Sequence, residues 1–163
     1  MPANERKTTF TFLAEPSDVN FGGKVHGGAV MKWIDQVSYA CAASWSGHYC
    51  VTVYVGGIQF YRPIKIGQSV RLEAKVIHTG SSSMHIAVDV YSKDLREGDW
   101  EKTTHCIIIF VAVDEMGKTV GVPKWEPKTE KDKALEDYAK RLMEHRERIQ
   151  KEMSPYVKEQ TGA

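Results

Sequence analysis

A chain of 163 residues with 22 basic and 21 acidic side chains, for a formal net charge of +1, suits one globular domain with a core of its own. So even a balance argues against nucleic acid as a partner, because neutralising phosphates takes a basic surplus gathered on one face. No apolar run is long enough to cross a bilayer and the first residues lack the apolar core of a signal peptide, so no membrane is expected and the location read is cytoplasmic.

Lys7 to Phe12 alternates, with Thr8, Phe10 and Phe12 on one side, as a half-buried strand does. Ala14 to Gly28 follows as a loop longer than the roughly 12 residues usual in compact domains, which draws attention to Pro16, Asn20 and His26. Two glycine pairs, Gly22-Gly23 and Gly27-Gly28, keep its second half out of regular structure. From Ala29 the apolar residues Val30, Trp33, Ile34, Val37, Ala40 and Cys41 recur at helical spacing, which predicts a helix from about Gly28 to Ser46. Its apolar circumference predicts burial on several sides. A glycine loop feeding straight into a helix presents unpaired N–H groups and the positive end of the helix dipole to whatever lies before it.

Four strands are predicted next. Cys50 to Ile58 is rich in Val, and its Gly56-Gly57 suggests a bulge or a close approach of the backbone by another group. Pro63 and Gly67 break the chain before Ser69 to His78, where Val70, Leu72, Ala74 and Val76 alternate with polar residues. Thr79 to Ser82 reads as a hairpin turn into a strand with Met84, Ile86, Val88 and Val90 on one side. Thr103 to Asp114 is an almost unbroken apolar run, the mark of a central strand covered on both faces. Val122 to Pro127 is an extended connector, and Thr129 can cap a helix running to about Met153, charged apart from a stripe of Leu135, Tyr138, Leu142 and Ile149. Residues after Ser154 are expected to fray.

Three cysteines, Cys41, Cys50 and Cys106, are odd in number and lack a C-x-x-C spacing, so they read as small core residues and not as a disulfide or zinc framework. His105 and Cys106 are neighbours in a strand and point to opposite faces, so they cannot act together on one substrate atom. The element order is strand, long helix, four strands, outer helix, an α+β arrangement with a body at residues 1–127 and a helical extension at 128–163. One helix cannot cover both faces of a five-stranded sheet. A sheet wrapped round the helix and paired along an edge with a second copy would, so a homo-oligomer is expected.

With the spacing Asn20-x-x-Gly23-x-Val25-His26-Gly27-Gly28-x-x-Met31-Lys32-x-x-Asp35, the chain resembles the hotdog-fold acyl-CoA thioesterases of the acyl-CoA hydrolase family. Weaker pieces support the likeness over roughly residues 7 to 127: Phe60-x-x-Pro63, Thr79 to Met84, Phe110 to Asp114 and Val122-Pro123. The resemblance implies an antiparallel sheet of about five strands around a long central helix, a double hotdog dimer, and a trimer of dimers. It implies hydrolysis of fatty acyl-CoA to fatty acid and coenzyme A with no metal or other cofactor.

It also implies a site made by two subunits, Asn20 from one and Asp35 from the other. Asp35 would act as general base on water or as nucleophile through a mixed anhydride. Asn20 would hold the water or the carbonyl oxygen in line, and the Gly27 and Gly28 amides would take the oxyanion. For coenzyme A the resemblance points to the hairpin of Gly80, Ser81, Ser82 and Ser83, with Arg62, Lys65 and His26 as further contacts. The acyl chain would follow the apolar side of the helix between subunits. Two alternatives share the fold. A hydratase would pair a His with a carboxylate on the helix, whereas His26 precedes it; a non-catalytic acyl-thioester sensor would have no need of both Asn20 and Asp35. Gly22-Gly23-Lys24 lacks the spacing and following Ser or Thr of a phosphate-binding P-loop.

Overall fold

The computed structural model describes residues 4–161 and divides after Trp125 into two compact units. The first holds five strands, β1 (Lys7–Leu13), β2 (Tyr49–Phe60), β3 (Ser69–Thr79), β4 (Ser83–Lys93) and β5 (Glu101–Val113), and the helix α1 (Gly27–Ser46). They form one sheet in the order β1-β3-β4-β5-β2, with every neighbouring pair antiparallel. This is the hotdog arrangement.

Alternation puts Val70, Leu72, Ala74 and Val76 of β3, Met84, Ile86, Val88 and Val90 of β4, and Cys106, Ile108, Phe110 and Ala112 of β5 in one core with Val30, Trp33, Ile34, Val37 and Cys41 of α1. Phe12 of β1 meets Trp33 edge-on with ring centroids 4.8 Å apart. At 20 residues, α1 is about 30 Å long, enough to cross the sheet, and Gly47 at φ +73° closes it in the left-handed region.

Two expectations change in this unit. The apolar strand β5 is buried on both faces, Ile107 and Ile109 included, yet it stands one place from the β2 edge and β4 is the middle strand. An apolar run reports cover on two faces and is silent on how many strands flank it. The helix α1 is buried along one side only; Met31 (46 %) and Tyr39 (36 %) on its other side are exposed. Strand β2 bears two register shifts, one between Gly56 and Gln59, as the glycine pair predicts: a Cβ on Gly56 would lie 2.6 Å from the Tyr54 ring. As an outer strand, β2 leaves Val53, Val55 and Phe60 exposed.

The second unit is the helix α2 (Glu130–Thr161). Thr129 caps it, its hydroxyl accepting the Asp132 N–H at 3.0 Å. Ion pairs Lys133–Glu130 and Lys140–Glu136 lie along its surface. The expected end near Met153 is wrong. Pro155 lies inside the helix, because proline's φ suits helical backbone and its missing N–H removes a single bond near the end. No helix among the described residues is long and apolar enough to cross a membrane.

Candidate active site

The loop after β1 is ordered by its own hydrogen bonds. A single 3-10 turn, Pro16–Asp18, leads into a hairpin in which Val19 faces Val25 and the His26 N–H donates to the Asp18 carbonyl at 2.7 Å. Asn20 fastens this hairpin from within. Its Oδ1 accepts the Gly22 N–H at 2.9 Å and the Lys24 N–H at 3.1 Å. Two backbone donors identify that atom as the oxygen, so the amide NH2 is what remains to meet another group.

At the start of α1, His26 is the N-cap but its side chain makes no capping bond. Its carbonyl accepts the Val30 N–H at 3.1 Å, which leaves the Gly27 and Gly28 amides among the unpaired donors of the first turn. A Cβ on Gly27 would meet the Phe60 ring at 3.6 Å, whereas one on Gly28 would meet nothing of this chain within 4 Å. The absence of a side chain at Gly28 is therefore not demanded by packing within one subunit. His26 itself is exposed.

Two turns along α1, Asp35 is half-buried in a cleft of about 360 Å³ lined by Gly28, Met31, Lys32, Ile34, Val55, Ile58 and Ile108. Its partner is not a neighbour on the helix but a residue of β2. Thr52 of β2 donates its hydroxyl to Asp35 Oδ1 at 2.6 Å; among the described residues Lys32 makes no ion pair with Asp35 and the buried Ser38 hydroxyl has no hydrogen-bond partner. Thr52 is the residue that the sequence reading passes over. A threonine in a Val-rich strand carries no signal, and only the crossing of β2 by α1 sets it against the carboxylate.

Asn20 lines a second cleft, about 330 Å³, with Lys24, Gly27, Phe60, Arg62 and Thr104. Within one chain, then, Asn20 and Gly27 share one cleft, and Asp35 and Gly28 share the next. Arg62 stands at the Asn20 cleft with its guanidinium 3.3 Å from Glu101, and Lys65 bridges Lys24 through backbone. The Gly80–Ser83 turn is elsewhere. Ser83 pairs with Val111 of β5, seven residues along the strand from Thr104, or about 23 Å. Its Ser81 and Ser82 carbonyls accept the Val122 and Ala112 N–H groups. A Cβ on Gly80 would strike Ser83 Oγ at 2.5 Å, so that glycine has a reason within the turn. Another hollow, about 1070 Å³ around His48, Tyr49, Val113 and Met116, contains none of the predicted residues and is a broad surface groove.

Outside these clefts, Asp89 accepts from His105 Nδ1 at 2.8 Å and from Lys102 Nζ at 3.1 Å. Burial alone would raise the Asp89 carboxyl, but the bonds and charges of His105 and Lys102 outweigh it and hold the group below the usual carboxylate range. The three cysteines are free and buried. Burial pushes Cys41 and Cys106 up to about 12, so neither supplies a thiolate nucleophile near neutral pH.

Residues 22–98 match the model of the Thioesterase superfamily. The chain is 34 % identical over 135 residues to the uncharacterized acyl-CoA thioester hydrolase YkhA of Bacillus subtilis, covering 83 % of this chain and 78 % of that protein. A solved apo-hexameric acyl-CoA thioesterase superposes with a TM-score of 0.85 at 34 % identity, covering 91 % of this chain and 96 % of the other. The acyl-CoA hydrolase of Staphylococcus aureus, solved with butyryl coenzyme A, coenzyme A and coenzyme A disulfide, superposes with 0.86 at 26 % identity over 95 % and 94 %. Variants of that enzyme with an Asn, an Asp or a Thr changed to Ala have been solved as well.

Proposed function

Since this chain belongs to the Thioesterase superfamily, we propose that it is an acyl-CoA thioesterase that hydrolyses fatty acyl-CoA to the free acid and coenzyme A at a site shared by two subunits. The observation that carries this reading is Asp35, held by Thr52 at 2.6 Å in an apolar cleft that also contains Gly28 of the uncapped helix end.

Asp35 takes a proton from a water as the water oxygen attacks the thioester carbonyl carbon. With Oδ1 engaged by Thr52, Oδ2 is the oxygen that receives it. Negative charge gathers on the carbonyl oxygen, where the Gly27 and Gly28 amides and the helix dipole stabilise it. Collapse breaks the C–S bond, and the departing thiolate takes the proton back from Asp35. Water is the only co-reactant, and no metal or redox group takes part. Asn20, whose NH2 is unpaired among the described residues, donates to the carbonyl oxygen across the subunit boundary.

A second copy completes the site because Asn20 and Asp35 lie in separate clefts of one chain. The exposed edge of β2, with Val53, Val55 and Phe60 outward, is a surface on which two sheets can continue into one. Antiparallel pairing there would bring opposite ends of the two sheets together, which supports the partner's Gly80–Ser83 turn, with Arg62 and His26, as coenzyme A contacts. Three such dimers would make the hexamer. The test is thiol release from acyl-CoA by wild type and by Asp35→Asn and Asn20→Ala. Turnover is expected to fall at least about 100-fold in each variant; unchanged rates in both, or acyl-CoA binding without turnover by wild type, would overturn the reading.

A further inference from the structure

The hairpin that carries Asn20 is stiff. Its Asn20 N–H donates to the Lys24 carbonyl at 2.7 Å and its Gly23 N–H to the Asn20 carbonyl at 3.2 Å, with Gly23 at φ +78°. The two bonds to Asn20 Oδ1 add to these. Such a turn closed by a left-handed glycine holds one geometry. At its apex stands Phe21, 108 % exposed, with Met116 next among the large apolar side chains at 83 %. Apex positions ordinarily carry Gly, Pro, Asn, Asp or Ser. Here the chain places a phenyl ring in water, fixes the backbone beneath it, and covers it with nothing of its own. A ring so placed forgoes the burial that stabilises a Phe side chain.

We propose that Phe21 is a specificity-determining residue acting in trans: its ring lies over the first methylenes of the acyl chain in the partner's Asp35 cleft. This rests on the reading that Asn20 serves the partner's Asp35. Consecutive Cα atoms are about 3.8 Å apart, so a residue adjoining the one that addresses the thioester carbonyl is within reach of the atoms that flank that carbonyl. The Asp35 cleft supplies apolar walls from Met31, Ile34, Val55, Ile58 and Ile108. Among those walls Met31 and Val55 are themselves 46 % and 40 % exposed, so the cleft is open on one side. Of the two apolar residues that adjoin Asn20 in sequence, Val19 pairs with Val25 inside the hairpin, and Phe21 is the one whose side chain is exposed. Each methylene that the ring shields from water adds to transition-state binding, while an acetyl group offers none beyond its methyl.

The experiment measures kcat/KM for acetyl-, butyryl-, hexanoyl- and octanoyl-CoA with wild type, Phe21→Ala and Phe21→Leu, and follows assembly by sedimentation velocity. In Phe21→Ala the octanoyl-to-acetyl ratio of kcat/KM is expected to fall about tenfold, with Leu restoring most of it. A ratio unchanged from wild type, or a loss equal at every chain length, overturns the proposal and leaves the thioesterase reading intact. Weakened assembly with an unaltered ratio also overturns it, since the ring would then be packing on protein. A wild type that hydrolyses no acyl-CoA of any length removes the thioesterase reading, and the proposal with it.

Discussion

Thr52→Val removes one hydroxyl and keeps the shape of the side chain, so it tests the contact that sets Asp35 in place. The bond it deletes is 2.6 Å long and ends on a carboxylate. Hydrogen bonds to charged groups contribute about 1.5–3 kcal/mol; if all of that acts in the transition state, kcat falls by roughly 10- to 150-fold at about 1.4 kcal/mol per decade. Thr52 is exposed on β2, so stability should move by no more than about 0.5 kcal/mol. Thiol release with acyl-CoA measures kcat and KM, and thermal unfolding checks the fold. Thr52→Ser should recover most of the rate because it restores the donor. In the double variant with Asp35→Asn, the loss should equal that of Asp35→Asn alone, since the two act as one unit. A Thr52→Val enzyme within twofold of wild type, alongside an inactive Asp35→Asn, would refute the claim that this bond orients the base.

Gly28→Ala should leave melting temperature unchanged or raised, because the new methyl meets nothing within 4 Å and Ala gains up to about 1 kcal/mol over Gly in a helix. Its kcat/KM should nevertheless fall at least about tenfold if the thioester closes on the Gly27 and Gly28 amides; full activity would show that no carbonyl comes so close. Asp89 predicts a pH effect. Its folded-state pKa is lowered, so its contribution to stability is complete above the unfolded carboxylate value of about 3.9 and is lost as pH falls through the lower folded value. Denaturant unfolding between pH 2 and 6 should show Asp89→Asn less stable than wild type near pH 6 and the difference shrinking below about pH 4; a constant gap would refute the linkage.

Much of the fold was legible because periodicity is local. The alternation of Val70 to Val76 and of Met84 to Val90, and the helical recurrence from Val30 to Cys41, each specify which side of an element is apolar, and the observed core joins those sides. The glycine pairs also declared themselves, Gly56 through its ring contact and Gly27-Gly28 through the uncapped helix end. The place of β5 one strand from the edge was not legible, since an apolar run carries no pairing order. The reach of α2 past Pro155 was not legible either, because the cost of a proline depends on which carbonyl loses its donor. Thr52 was invisible for a related reason: its role lies in a partner seventeen residues away in the chain.

The order and polarity of the elements, the glycine-lined start of α1 and the presence of Asn20 and Asp35 follow from sequence alone, because backbone freedom and side-chain periodicity act over a few residues. Which hydroxyl holds Asp35, and the separation of Asn20, Asp35 and the Gly80–Ser83 turn into three places on one subunit, were decided by tertiary structure. The 2.6 Å bond from Thr52 to Asp35 arises only once β2 and α1 have been packed together, and no local pattern encodes that distance.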